Sequence, residues 1–338
     1  MMLEHCVVIG NGPAANSAAV TLRDKSPDTR ITVIGQEPVL QYKPRLLPDY
    51  IAGKVREADL FVSTPELYKE RDIKLRLGQR VVNVDFHAKQ LTLDHNELVF
   101  FSGLIIACGA KPRIPEHLQV FEDLMLTLKT VTDAKLWIEQ LSHVNDILII
   151  GGDLTSLSLT KALVHLGKQV IFILCEDSFW PVPFSPEVRQ QVAEKLKQNG
   201  VEVTDCRKIK RVVRLSEHSV EVRTDRRTHV VGTVGAFYGL VPDVRFLARS
   251  GLDIERGVLV DEYLQTCFDR VYAAGDCAQV YHPELKDYWV SIGYDNAIGL
   301  GRIAALNLLG SWLSVEMPGE SVFKVDGINV NTSWWTEF

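Results

Sequence analysis

Long apolar runs and long basic runs are missing from this sequence. No apolar stretch approaches the roughly 20 residues that cross a bilayer, so no membrane span is expected. Lys and Arg number 37 against 43 Asp and Glu, a net charge of −6, and no long basic run occurs. Binding to nucleic acid or to an anionic membrane surface is therefore not expected. The first residues are typical of a charged strand rather than of a signal peptide, and we expect a cytoplasmic protein.

The cysteines form no C-x-x-C pair and have no histidine partner at zinc spacing. They number six and are far apart, at Cys6, Cys108, Cys175, Cys206, Cys267 and Cys277. This pattern predicts structural thiols in a reducing compartment and no metal site. What the chain does have is apolar material for a large core, since 46% of its 338 residues are hydrophobic, enough for two or three domains.

The chain begins with a strand, a glycine turn and a helix. Cys6–Ile9 is a β-branched run that predicts a buried parallel strand, and Gly10-x-Gly12-x-x-Ala15 follows it. In this pattern the first glycine allows a sharp turn, the second leaves room for a phosphate, and the third small residue lets the helix lie close to the strand. The pyrophosphate of a dinucleotide is then held by the free N–H groups of the helix.

A second strand and an acidic residue support this interpretation. Ile31–Ile34 is hydrophobic, and Glu37 follows it at the distance where a ribose hydroxyl is bound. The next segment, from Pro38 to Gly53, contains three prolines, which predict a shaped loop rather than a helix or a central strand. Whether its Tyr42, Lys43, Arg45 and Tyr50 are functional or only anchor a surface connection stays open at this point.

The opening pattern returns in the middle of the chain. Ile147–Ile150, Gly151, a helix to about Gly167 and the strand Val170–Ile173 repeat the same order. Such a duplication predicts two dinucleotide-type units. The second phosphate turn is different, because Asp153 and Ser156 stand where the first copy has Gly12 and Ala15, and Leu174 ends the strand, with acids only at Glu176 and Asp177.

The last third of the chain contains a third strand end of this kind. The run from Val271 to Ala274 leads into Gly275-Asp276, where the carboxylate can accept hydrogen bonds from a polyol and the following N–H groups face a phosphate. Small residues allow close packing in a predicted helix from Asn296 to Leu309. Elsewhere, Thr132 is predicted to cap a helix over 133–141, and 236–243 is predicted to be a strand and turn.

These segments resemble the ordered motifs of the FAD-dependent pyridine nucleotide-disulfide oxidoreductases, over nearly the whole chain. The Tyr42–Gly53 segment is most similar to the branch with rubredoxin reductases, ferredoxin reductases and the flavin module of NADH-dependent nitrite reductases. The segments that carry the resemblance are the first turn with Glu37, Leu104–Pro112, the second turn at Gly151, Tyr238–Pro242 and Val271–Asp276.

The resemblance implies an α/β fold with two Rossmann-like units, the second inserted in the first. It implies an FAD-binding domain of residues 1–112 and 236–316, an NAD(P)-binding-like domain of residues 113–235, and a truncated interface domain of residues 317–338. Val322–Val330 resembles the first strand of that interface domain. The implied cofactor-binding residues are Gly10, Gly12, Pro13, Ala14, Ala15, Glu37, Lys43, Arg45, Ala107, Gly109, Gly275, Asp276 and Ala297. The degenerate NAD(P) turn comprises Gly151, Gly152, Asp153 and Ser156. No catalytic residue is identified.

Two departures from the family pattern limit the mechanism. The disulfide reductases have a redox cysteine in the loop after the first unit, whereas Lys43–Pro48 contains none, so a dithiol mechanism is excluded there. Related flavin modules usually have a basic residue two places after the loop tyrosine. Here Pro44 occupies that place between Lys43 and Arg45, and which of the two approaches the flavin stays open.

Two functional hypotheses follow. The chain is either an NAD(P)H-dependent flavoprotein reductase that passes electrons to a small redox protein or another oxidant, or the FAD subunit of a larger electron-transfer complex with a degenerate nicotinamide site. Asp153 distinguishes them, because its charge would face two phosphates and make NAD(P)H binding weak, unless the loop moves and Glu176 or Asp177 binds the ribose. The aromatic tail, with Trp334, Trp335 and Phe338, is expected to pack against the protein or a partner.

Overall fold

The computed structural model describes residues 3–174, 186–205, 208–291 and 293–316, and the backbone of residues 321–325, 328–332 and 335–336. Its strands are β1 (His5–Ile9), β2 (Arg30–Gly35), β3 (Ile73–Leu77), β4 (Val81–Asp85), β5 (Gln90–Leu93), β6 (Leu98–Phe100), β7 (Gly103–Ile106), β8 (Ala110–Pro112), β9 (Asp146–Gly151), β10 (Gln169–Leu174), β11 (Glu202–Asp205), β12 (Ile209–Ser216), β13 (Ser219–Thr224), β14 (Thr228–Val231), β15 (Thr233–Ala236), β16 (Leu240–Pro242), β17 (Val258–Val260), β18 (Val271–Ala273), β19 (Ala278–His282), β20 (Asp287–Ser291), β21 (Ser321–Val325), β22 (Ile328–Thr332) and β23 (Trp335–Thr336).

The α-helices are α1 (Pro13–Lys25), α2 (Leu47–Ile51), α3 (Glu57–Leu60), α4 (Pro65–Glu70), α5 (Val131–Leu141), α6 (Leu154–His165), α7 (Pro186–Gln198) and α8 (Tyr294–Leu308). Single 3-10 segments cover Pro44–Leu46, Glu116–Leu124 and Arg245–Leu247. None of the helices in the described part of the chain combines the length and the apolar character needed to cross a bilayer.

Two parallel sheets organise the molecule. The first has the strand order β18-β7-β1-β2-β3 and the second the order β11-β10-β9-β15. Since β18 follows the whole second sheet in sequence yet pairs with β7, the second sheet is inserted within the first. The chain leaves the first sheet through β8 and returns through β16, and these two strands pair antiparallel as a linker. The predicted α/β fold with an inserted second unit is confirmed.

The first core is built from the fully buried strand β1 and the helices that cover its sheet. All five residues of β1 are buried, as its β-branched sequence predicts. Helix α8 crosses α1 so closely that a Cβ on Gly301 would lie 2.1 Å from the carbonyl oxygen of Ala14. Only glycine allows this approach, which brings the N-termini of α1 and α8 to the same edge of the sheet.

The proline-rich segment was predicted to be a loop, and this prediction was wrong in part. It contains the 3-10 turn Pro44–Leu46 and the short helix α2. Pro44 and Pro48 lie in the first turns of these segments, where a missing N–H leaves no hydrogen bond unmade. Leu47 and Ile51 of α2 pack in the core of the second unit.

Three smaller expectations also differ from the structure. Helix α5 is capped by Thr130, not Thr132, because Thr130 Oγ1 accepts from Asp133 N and the Asp133 carboxylate accepts from Thr130 N. Ala236 ends β15 and does not begin a strand, since the strand after it is β16. The segment from Val322 to Val330, expected to be one strand, contributes to the antiparallel pair β21 and β22.

The C-terminal end is described in part. The backbone of β23 pairs antiparallel with β20, so the chain end returns to the body of the protein. Trp334, Phe338 and the side chain of Trp335 lie outside the described residues, and the prediction about their packing stays a prediction. Glu176 and Asp177, the alternative ribose ligands, also lie outside them.

Candidate functional site

The candidate site lies at the carboxyl edge of the first sheet, where the turns after β1 and β7 touch. Gly10 follows β1 with φ +114°, and a Cβ there would lie 2.0 Å from the carbonyl oxygen of Ala107. A side chain is excluded both by this contact and by the backbone conformation. Gly109, two residues after Ala107, also has a positive φ, of +71°, but a Cβ there would meet nothing within 4 Å.

The N-terminus of α1 is open. Gly12 is its N-cap residue, Pro13 occupies the first helical position, and no side chain caps the helix. A Cβ on Gly12 would meet nothing within 4 Å, so free space lies in front of the first-turn N–H groups. Ala14 and Ala15 are buried behind this turn. An uncapped helix N-terminus facing free space is suited to a phosphate group.

The turn after β18 lies against the same helix end. Gly275 has φ +78°, and a Cβ there would lie 3.0 Å from the Cβ of Ala14 and 3.7 Å from the Cβ of Ala297. Ala297 is in the first turns of α8, whose N-cap residue, Gly293, also provides no side-chain cap. Two uncapped helix N-termini therefore meet at one glycine turn.

Asp276, next to Gly275, has a partner that the sequence analysis missed. Lys129 Nζ lies 3.7 Å from Asp276 Oδ2, and both side chains are partly buried. Lys129 directly precedes Thr130, the N-cap residue of α5, and its N–H donates to Asp133. In the sequence, Lys129 stands out only as a basic residue next to the N-cap of a helix, and it belongs to neither phosphate turn.

Glu37 follows β2 at the same edge and is held by the loop tyrosine. The hydroxyl of Tyr42 donates to both carboxylate oxygens, at 2.9 and 3.1 Å. Burial raises the pKa of Glu37, the negative charge of Asp133 adds to this, and the Tyr42 hydrogen bond and Lys129 oppose it. Burial beside Glu37 also raises the pKa of Tyr42, which keeps the hydroxyl a donor.

The two basic residues of the loop are placed differently. Arg45 is exposed in the 3-10 turn, and its positive charge opposes the burial that raises the pKa of Tyr294, the first residue of α8. Lys43 precedes that turn, and its backbone N–H donates to Leu60 O at 3.0 Å. The structure thus brings Arg45 to the start of α8.

The second glycine turn is closed by its own side chains. Asp153 is the N-cap residue of α6, and its Oδ1 accepts from Ser156 N at 2.7 Å. Ser156 is fully buried, and its hydroxyl donates to Asp153 O at 2.7 Å and accepts from Gly152 N at 3.1 Å.

The Asp153 carboxylate also fastens the turn to the linker strands. Burial raises its pKa, and backbone N–H groups of Ser156, Gly239 and Thr155 oppose the rise by donating to it. Gly239 directly precedes β16. Behind the turn, a Cβ on Gly151 would lie 2.9 Å from the Cβ of Phe237. The Ser156 N–H, which would otherwise face a pyrophosphate here, is therefore already bonded to the protein's own carboxylate.

Comparison with known proteins agrees with this geometry. Residues 4–293 match the family model described as pyridine nucleotide-disulphide oxidoreductase. This chain belongs to the pyridine nucleotide-disulphide oxidoreductase family. It is an FAD-dependent oxidoreductase, as the sequence predicted.

Two relatives and one solved structure illustrate the similarity. The nitric oxide reductase FlRd-NAD(+) reductase of Escherichia coli O139:H28 is 28% identical over 94% of this chain and 82% of its own length. The putidaredoxin reductase CamA of Pseudomonas putida is 25% identical over 91% of this chain and 74% of its own length. The covalent putidaredoxin reductase–putidaredoxin complex superimposes with a TM-score of 0.85 at 21% identity, covering 95% of this chain and 78% of that chain.

The residues at the first sheet fit the cofactor of this oxidoreductase family. An extended dinucleotide needs space at a helix N-terminus for its pyrophosphate and acceptors for its ribose and ribityl hydroxyls. The open space at Gly12 meets the first need. The carboxylates of Glu37 and Asp276, at the ends of β2 and β18, have the chemistry for the second.

Proposed function

We propose that this oxidoreductase exchanges electrons between FAD, held at the first glycine turn, and a redox-protein partner, and that it uses NAD(P)H poorly. The difference between the two helix N-termini carries the proposal. Helix α1 is uncapped and faces free space, whereas α6 is capped by Asp153. One turn is suited to a dinucleotide and the other is not.

Each residue at the first site has a distinct part in cofactor binding. The N-terminus of α1, with Gly12 and Pro13, binds the pyrophosphate through its N–H groups and its dipole. Glu37, oriented by Tyr42, accepts hydrogen bonds from the adenosine ribose. Asp276 accepts from the ribityl chain, and Lys129, paired with that carboxylate, adds a cation near the phosphates. The bound flavin supplies the redox chemistry, and the chain supplies its position and its electrostatic surroundings.

The residues at the start of α8 set the charge at the other end of the site. This helix has no side-chain cap, so its N–H groups and its dipole direct positive charge to the edge where Gly275 and Ala297 lie. Arg45 adds a cation beside Tyr294. Both favour a cofactor that gains negative charge on reduction.

A redox protein as partner is supported by what the relatives are. Putidaredoxin reductase and FlRd-NAD(+) reductase are named for protein substrates. We extend only this class of partner to the present chain. The alternative, an FAD subunit within a larger electron-transfer complex, is favoured by the closed turn at Asp153, because such a subunit needs no nicotinamide site of its own. A cytoplasmic location stays a prediction.

Purification and spectroscopy test the cofactor assignment. The protein should carry FAD without a covalent link, so that its visible absorbance shows the flavin bands and denaturation releases FAD into solution. A protein that contains no flavin and takes up none on reconstitution would contradict the proposal. Reduction of the bound flavin by a low-potential ferredoxin or flavodoxin, under conditions where NADH reacts slowly, would support a protein as the electron donor.

A further inference from the structure

Two thiols meet beneath the cofactor edge, at the ends of neighbouring strands. Cys108 lies two residues beyond β7 and Cys277 four residues beyond β18, and these strands pair with Ile106 opposite Ala273. Cys277 Sγ donates to Ile106 O and to Ala274 O, both at 3.4 Å. The Cys108 thiol lies near enough to the Cys277 thiol for each to shift the pKa of the other. Cys277 is fully buried, and Cys108 is partly exposed.

The surroundings shift the pKa values of the two thiols in opposite directions. The contact with Cys108 and the N–H groups of Gly109 and Cys108 lower the pKa of Cys277 against its burial. The same contact, together with burial, raises the pKa of Cys108 well above its ordinary value. The two thiols are thus neighbours whose pKa values are shifted in opposite directions, which isolated structural cysteines do not show.

We propose that Cys108 and Cys277 are a reversible oxidation site, at which a peroxide converts the two thiols into an intramolecular disulfide. The proposal does not depend on the proposed electron-transfer function, and the pair differs from a catalytic dithiol of the Lys43–Pro48 loop, which contains no cysteine. A peroxide is the expected oxidant because reduced flavins that meet oxygen produce hydrogen peroxide.

The reaction balances with hydrogen peroxide as the oxidant. Cys108, which is partly exposed, loses its proton to solvent, and its thiolate attacks the peroxide, which forms a sulfenic acid and releases hydroxide. The hydroxide takes the proton from Cys277 and leaves as water. The Cys277 thiolate then attacks the Cys108 sulfur, forming the S–S bond and expelling the second oxygen as hydroxide, which becomes water on protonation. Two thiols lose two electrons and two protons, and the peroxide becomes two water molecules.

The disulfide would join two segments that have different roles. Cys108 leads through Gly109 into β8, one of the two linker strands, and Asp243 N donates to Gly109 O at 3.1 Å beside that linker. Cys277 directly follows Asp276 in the cofactor turn. Oxidation therefore fixes the linker between the two sheets to the turn that we assign to the ribityl chain. Because the pKa of Cys108 is raised, the reaction should take minutes to hours rather than milliseconds.

Peptide mapping of the FAD-loaded protein tests the proposal. The protein is treated with hydrogen peroxide, its remaining thiols are alkylated with iodoacetamide in denaturant, and it is digested without reductant for mass spectrometry. We expect a pair of peptides joined through Cys108 and Cys277, which separates on treatment with dithiothreitol. The joined pair should be missing from Cys108→Ser and from Cys277→Ser protein.

The wild-type protein provides its own control for the oxidant. Cys267 is exposed and should be oxidised in the same sample. If Cys267 is oxidised while Cys108 and Cys277 are both recovered alkylated, or if Cys108 is joined to a different cysteine, the proposal is wrong. The map is read on wild-type protein, so neither the folding of the serine variants nor the identity of the electron donor affects this result.

Discussion

The carboxylate of Asp153 accepts a hydrogen bond from the backbone N–H of Ser156 at 2.7 Å. In the first unit the corresponding N-cap residue is Gly12, which has no side chain and faces free space. The two copies of one motif therefore differ at the position on which phosphate binding depends. In the second copy an internal carboxylate occupies the place of an external anion, with charge of the same sign and with bonds to the same kind of N–H donors.

Glycine substitutions at the first turn separate cofactor binding from folding. Gly12→Val should fold, since a Cβ at this position meets nothing within 4 Å, but the new side chain fills the space that we assign to the pyrophosphate. We expect a protein with an unchanged circular dichroism spectrum and no bound flavin. Gly10→Ala is the contrasting variant, because its Cβ would lie 2.0 Å from Ala107 O, and it should lower the yield of folded protein. Retention of stoichiometric FAD by Gly12→Val would show that the pyrophosphate lies elsewhere.

Lys129→Gln tests the cation that the sequence analysis missed. Removing it leaves Asp276 without its partner and removes a positive charge from the cofactor edge. A partly exposed ion pair contributes about 0.2–1 kcal/mol, so the dissociation constant of FAD should rise by up to roughly fivefold. The measurement is FAD titration of the apoprotein. Lys135→Gln is the matched control, since Lys135 pairs with Glu57 at the surface, and an equal effect in both variants would contradict the assignment.

Because His5, at the start of the central strand β1, is buried, we expect the free energy of unfolding to depend on pH. Its Nε2 lies 2.9 Å from Thr32 Oγ1, and burial with the charges of Arg30 and Lys74 lowers its pKa to about 4. The His5 side chain therefore binds a proton more readily in the unfolded chain than in the folded protein. The stabilisation is complete above pH 6.5 and is lost as the pH falls towards 4, by at most about 1.4 kcal/mol per pH unit.

Urea unfolding at several values of pH between 7.5 and 4.5 measures this effect. His5→Gln should flatten the pH dependence of the free energy of unfolding in that range, whereas His117→Gln, at an exposed position, should leave it unchanged. Equal pH profiles for wild type and His5→Gln would show that other groups account for acid sensitivity.

Local patterns predicted much of the fold, because they depend on neighbouring residues. The β-branched runs before Gly10 and Gly151 became buried parallel strands, and both helices followed as expected. Helix α2 was missed because Pro44 and Pro48 act as helix breakers in an interior but are tolerated in a first turn. The prediction that the α5 cap is Thr132 was wrong because two threonines lie close together, and only the reciprocal bonds with Asp133 select Thr130.

Contacts between distant segments could not be predicted in this way. The sequence showed a carboxylate at Asp153 but not that this side chain turns back onto the N-terminus of its own helix. An aspartate three residues before a serine at a helix start is nevertheless a capping pattern. The pairing of Lys129 with Asp276 joins segments that lie far apart in the sequence. The meeting of Cys108 and Cys277 depends on the pairing of β18 with β7, which a single chain read in order does not reveal.

Opening the second turn should improve reaction with NADH. Asp153→Gly removes the internal carboxylate and leaves the N-terminus of α6 free, and replacing a cap by glycine costs only a few tenths of a kcal/mol, so the variant should fold. We expect NADH to reduce its flavin at least about tenfold faster at equal concentration. Asp153→Asn keeps a capping side chain without the charge and should lie between the two. Equal rates in all three proteins would mean that Asp153 does not limit the reaction.

The most direct test of the account is anaerobic rapid mixing of the wild-type protein with NADH and with NADPH, followed at the flavin absorbance. The account predicts that micromolar concentrations of either bleach the flavin slowly, over many seconds or longer, because Asp153 occupies the N-terminus of α6 where the pyrophosphate would bind. Complete bleaching by micromolar NADH or NADPH within one second would contradict it.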